Sequence, residues 1–159
     1  MTLLQWVKSW HLDSLKIKAY FLEAELNFQA ADRTAAWEMY IELLTRITTQ
    51  PLADNDGDEK SALNSVYSLF ATTREIIRRN GPACLNFTKI AIVILNQVVR
   101  PFTARWHQVS LTNGFDIAEN RTLFRKELAD LQTVLLHYAG LLSEVAGVED
   151  LTDFEETNP

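Results

Sequence analysis

Apolar residues recur along this chain in steps of three and four, the spacing that lines one face of a helix. The plainest case is the last third. Phe124, Leu128, Leu131, Leu135, Tyr138, Leu142 and Val145 give three heptads of a coiled-coil-like seam, which predicts a long helix over 116–146. Asp116 and Glu119 have capping-box spacing at its start, and Gly147 is placed to end it. Upstream, 83–100 is apolar nearly all round, including Phe87, Ile90, Ile92, Ile94 and Val99. Such a helix is expected at the centre, buried on most sides, and broken or kinked at Pro101.

A third stripe runs through Leu63, Val66, Tyr67, Phe70 and Ile77. Arg78 and Arg79 sit in its last turn, where cations suit the helix dipole, and Asn80, Gly81 and Pro82 form a stop. A fourth follows Asp32, read as its N-cap, with Trp37, Tyr40, Ile41, Leu44 and Ile47 on the core face. Pro51 forces an end there. Near the start, Leu3, Val7 and Trp10 suggest a short amphipathic helix over 2–11. The stretch 12–30 fits two patterns. Leu12, Leu15, Ala19, Leu22 and Leu26 make a helical stripe, whereas Leu15, Ile17, Ala19 and Phe21 alternate as in a strand. A helix or extended arm is preferred, because a lone strand needs a partner for its edge. The expectation is an all-α bundle of about five to six helices. It forms one domain over 1–147, followed by an acidic, flexible tail over 148–159.

Composition agrees with one domain. The 159 residues are 47% hydrophobic, enough for a sizeable core without staples. The net charge of −6 argues against coating nucleic acid by phosphate neutralisation. Much of that charge lies in Glu149, Asp150, Asp153, Glu155 and Glu156, so a local basic patch on the body stays possible. The single cysteine, Cys84, forms no internal disulfide and is read as a buried thiol. The N-terminus lacks the pattern of a signal peptide, and the most apolar stretch, 90–99, is about half a membrane span. The expected location is the cytoplasm, away from membrane.

Candidate chemistry is sparse. The acidic loop at 54–59 lacks the turn glycine and closing glutamate of a calcium loop, and is read as a solvated turn feeding the next helix. His11, His107 and His137 are widely spread, and no zinc spacing, nucleophile elbow or phosphate-cradling glycine loop occurs. No metal or cofactor is expected. The most unusual run is 100–107, which holds Arg100, Arg105, Trp106 and His107. These four are candidate binding residues. Trp6 and Trp10, one turn apart, are two more, since tryptophan is enriched at binding hot spots.

Arg100 and His107 also have the R-x6-H spacing, the outer limit of the motif in HEPN-type helical ribonucleases. That resemblance implies RNA cleavage without metal, with His107 moving the proton of a 2′-hydroxyl and Arg100 stabilising charge on phosphorus. The chain departs from the family in having Pro101 where a polar residue usually follows the arginine. Three further stretches, DRTAAWEMYIELLTRITTQPL, LNQVVRPFTARWH and LLHYAGLLSEVAGVEDL, resemble small helical bacterial proteins of unassigned function that accompany defence or conflict effectors. The resemblance implies a cytosolic accessory protein and carries no catalytic residue. The leading expectation is therefore a non-enzymatic interaction protein with a protein partner or a second copy of itself. A metal-independent ribonuclease and a small-ligand sensor are the alternatives.

Overall fold

The computed structural model describes residues 27–55 and 57–152. The segments at 2–11 and 12–26, with Trp6 and Trp10, lie outside the described residues. Within the described residues the chain is all-α, with four helical rods, short 3-10 turns and no strand.

The first rod, α1 (Ala30–Leu44), packs chiefly on the last helix through Ala35, Ala36, Met39, Tyr40 and Leu43. Ala35 and Ala36 are completely buried, and their small side chains let the two backbones approach closely. This corrects the expected core face. Trp37 is 43% exposed and Ile41 also points outward, because a face centred on the two alanines turns both away. Asp32 is not the N-cap either. Gln29 is, and Asp32 is the third helical residue. Its Oδ2 accepts from the Gln29 amide at 2.7 Å, and its Oδ1 accepts from the Phe87 amide at 2.8 Å. At the other end α1 stops at Leu44, ahead of Pro51. The Thr48 and Thr49 hydroxyls donate to the Leu43 carbonyl, and Gln132 Nε2 donates to the carbonyls of Ile47 and Gln50, both at 2.7 Å. These contacts satisfy acceptors that the end of a helix leaves open.

Asp58 caps α2 (Glu59–Tyr67): Oδ1 accepts from Ser61 N at 2.8 Å and Oδ2 from Ser61 Oγ at 2.6 Å. Those bonds, the side-chain one first, hold its carboxyl below the ordinary value of 3.8. Asp58→Ala is expected to cost about 1 kcal/mol. Because the folded-state pKa is the lower one, the wild-type advantage is present above pH 3.8 and is lost as pH falls through the folded value. Urea titrations of both proteins at neutral and at low pH check this. A difference that persists in acid would contradict the cap. One residue on, Glu59 is buried and accepts from Arg125 Nε at 2.9 Å, while Arg125 Nη1 donates to Ala53 O at 2.8 Å. The acidic loop is thereby tied to the last helix.

The expected third stripe divides at Ser68 into α2 and α3 (Leu69–Asn80). Leu63, Val66, Leu69, Phe70, Thr73 and Ile76 are buried, but Tyr67 is 52% exposed. Val66 and Tyr67 lie about 100° apart around the helix, and the packing buries the Val66 flank while Tyr67 sits at the open edge. Gly81, at φ 72°, ends α3 as expected.

The third rod is continuous from Pro82 to Leu111. It comprises a 3-10 turn (Pro82–Cys84), α4 (Leu85–Ile94), a π turn (Leu95–Val99) and α5 (Arg100–Leu111). Pro101 does not break it. Proline lacks the N–H of a regular ladder and its ring crowds the carbonyl four residues back. The wider turn, in which Arg100 N bonds Leu95 O, takes up that mismatch. The rod is long and apolar enough to cross a membrane by length and composition alone. In this fold Phe87, Ile90, Ile94, Phe102 and Trp106 are core, while Leu85 and Ile92 stay exposed.

The next corner needs Gly114, since a Cβ there would lie 2.3 Å from Val109 Cγ1. The expected Asp116–Glu119 capping box does not form. Asp116 belongs to a 3-10 turn and Ile117 occupies the N-cap position of α6 (Ala118–Ala146). Asn120 and Arg121 fix the corner instead, donating to the carbonyls of Gly114 and Phe115. All seven residues of the heptad seam are buried, so the seam closes the core of the monomer. Gly147 (φ 71°) caps α6. Beyond it, Leu151 N donates to Tyr40 Oη, and that hydroxyl lies 3.3 Å from Asp150 Oδ1. The start of the acidic stretch is thus held against α1. Burial, more than the nearby acids, raises the Tyr40 phenol.

One seam residue is imperfectly placed. The Tyr138 hydroxyl is buried with no hydrogen-bond partner among the described residues, and burial raises its pKa. Tyr138→Phe removes an unsatisfied group and is expected to stabilise the protein by about 1 kcal/mol. A urea midpoint that falls would refute this.

Candidate functional site

The four candidate residues of 100–107 all lie on α5, but they divide between two faces. Residues seven apart on a helix nearly superpose in angle, so Arg100 and His107 share one side. Arg105 and Trp106 face α6.

The second pair is structural. Trp106 is 1% exposed, a correction to its reading as a binding residue. Its ring stacks on Phe115 and meets Phe124 edge-on, in a cluster that also holds Phe102. A buried indole needs an acceptor, and Glu127 Oε2 takes its N–H at 2.8 Å. The other oxygen of Glu127 binds Arg105, whose guanidinium lies 5.2 Å from the Trp106 ring centre. One carboxylate thus holds both residues.

Arg100 and His107 meet α2 and α3. The Arg100 guanidinium sits 4.7 Å from the centre of the Phe70 ring, and its Nε donates to Asn96 Oδ1 at 3.1 Å. Phe70 contacts Tyr67 at 5.6 Å between centroids, and Tyr67 contacts His107 at 4.8 Å, nearly perpendicular. The result is a row of Arg100, Phe70, Tyr67 and His107 along the junction of two rods. Arg100 and Tyr67 are exposed, His107 is half-buried and Phe70 forms the floor.

Sequence reasoning placed Tyr67 and Phe70 together in a core stripe and missed their part in this row. No local signal marked Tyr67, because Leu63, Val66, Tyr67 and Phe70 have the ordinary spacing of a single apolar face. Nothing in the spacing pointed to Glu127. Cys84 is buried as expected, with Sγ 3.1 Å from Gly81 O. Among the described residues no group of three or more His, Cys, Asp or Glu side chains is arranged to hold a metal ion.

Comparison with protein-family models, curated proteins and solved structures finds no match to this chain.

Proposed function

We propose that this chain is a non-enzymatic helical interaction protein, acting in the cytoplasm as an accessory or regulatory subunit of a bacterial defence-type system. The observation that carries the interaction reading is the exposed half of Tyr67, set in a row with Arg100 and His107 along a helix junction. Tyrosine and arginine are enriched at binding hot spots, and a ring already held by its neighbours loses little entropy on binding. The bacterial defence setting rests only on the resemblance of the three sequence stretches. Tagged wild-type protein in its native host is expected to retain a specific protein that Tyr67→Ala loses. A wild type that is monomeric in sedimentation and retains nothing would sink the reading.

A second reading is favoured by one observation, that Arg100 and His107 share a side of α5. A ribonuclease using the pair would cleave RNA in EDTA, leave 2′,3′-cyclic phosphate ends and fail in His107→Ala. The geometry asks much of it. Two aromatic rings lie between the groups, and Arg100 must leave Phe70 and Asn96 for both to reach one phosphate. An absence of cleavage by wild type on varied RNAs, alone and with its partner, would remove this reading.

A further inference from the structure

The net charge of −6 conceals a segregation. Residues 59–107, which make up α2 to α5 up to His107, hold seven lysines and arginines and two acids, Glu59 and Glu75. Two of those cations are neutralised across the fold, Arg79 by Glu38 and Arg105 by Glu127. Among the described residues Arg74, Arg78 and Arg100 have no carboxylate within ion-pair distance.

These three arginines are contiguous with the aromatic row. Phe70, Arg74 and Arg78 follow one another at steps of four on α3, so successive Cβ atoms lie about 5–6 Å apart. Arg100 reaches the same Phe70 from α5. On α5 the row continues from His107 to Leu111, again a step of four, and Leu111 is 79% exposed. The strip therefore has cations at one end, Tyr67 and His107 in the middle and an open aliphatic side chain at the other.

We infer that this strip docks an acidic protein segment that carries an apolar side chain beside its carboxylates. The inference rests on the interaction reading above and adds the chemistry of the partner. Arg74, Arg78 and Arg100 are placed for carboxylates, and Tyr67 and Leu111 for the apolar residue. Charge complementarity favours a short acidic segment over RNA. A long polyanion would extend past the strip, and the sequence outside 59–107 holds nineteen acids against eight lysines and arginines. RNA also gains nothing from Leu111.

The test is fluorescence anisotropy with a labelled synthetic peptide of glutamates carrying one leucine and one phenylalanine. Binding is expected to weaken about tenfold in Arg74→Glu/Arg78→Glu, to weaken in Tyr67→Ser and to fall as salt rises. It is also expected to exceed that of an all-glutamate peptide and of a uridine oligomer. Arg74 and Arg78 are exposed and without an ion pair among the described residues, so the double variant stays folded, its melting temperature lowered only by the lost interaction of Arg78 with the helix dipole. No binding by wild type, binding unmoved by the double variant, or preference for the oligomer would overturn the inference. If the peptide fails while Tyr67→Ala still abolishes capture in the host, the acidic partner is wrong and the interaction reading stands.

Discussion

Asp32→Ala is expected to destabilise the protein by about 3–5 kcal/mol, more than any surface change. The carboxylate is completely buried, yet it forms no ion pair among the described residues. Its two oxygens answer two backbone N–H groups, that of Gln29 at the start of α1 and that of Phe87 in the first turn of α4. Both are donors that a helix start leaves without a partner. Both helix dipoles also point their positive ends toward it. Alanine would leave the buried Phe87 N–H unpaired, remove the acceptor of the Gln29 N–H and loosen the contact between two rods at once. Asp32→Asn keeps the shape but presents an amide N–H₂ to one of the donors, so it should recover less than half the loss. Urea unfolding of the three proteins measures this. A loss below about 1 kcal/mol for alanine would show that water satisfies the donors instead.

Trp106→Ala is expected to cost about 3–5 kcal/mol through the cavity it leaves among Phe102, Phe115 and Phe124. It also strands Glu127, which would keep only Arg105. Trp106→Phe refills most of the space and should lose mainly the hydrogen bond, about 1–2 kcal/mol. Trp37→Ala, on the exposed face of α1, is the control and should cost under about 1 kcal/mol. The same urea series reads all three. Equal losses at Trp37 and Trp106 would contradict the burial that separates them.

The sequence was legible where a pattern was long or a breaker strong. The seam from Phe124 to Val145 is buried throughout, and Gly81 and Gly147 end their helices as read. It misled where an apolar residue had two helical faces to choose from. Trp37 and Ile41 looked like core because they are large, whereas the packed face is built on Ala35 and Ala36, whose smallness matters only against a partner helix. Asp32 read as a local cap, but its second bond goes to Phe87, fifty-five positions away, which no local rule contains. The candidate site was half legible. The stretch 100–107 was singled out as one candidate, yet its four residues go to opposite sides of α5. What sorts them is Glu127 on one side and Tyr67 with Phe70 on the other.

The π turn at Leu95–Val99 explains why the central rod gave no clean stripe. Phe87, Ile90 and Ile94 face the core before it, and Val99, Phe102 and Trp106 after it. Counted straight through, the two sets fall out of step by one position, and the pattern smears around the whole circumference. Counted with one residue of the turn omitted, they share a single line. The turn therefore holds a residue that the core does not register, like a spare link in a chain. Removing one residue between 95 and 99 leaves Phe102 and Trp106 aimed at the core, drawn in by about 1.5 Å. The same deletion inside α4 or α5 turns the side chains on one flank by about 100° relative to the other.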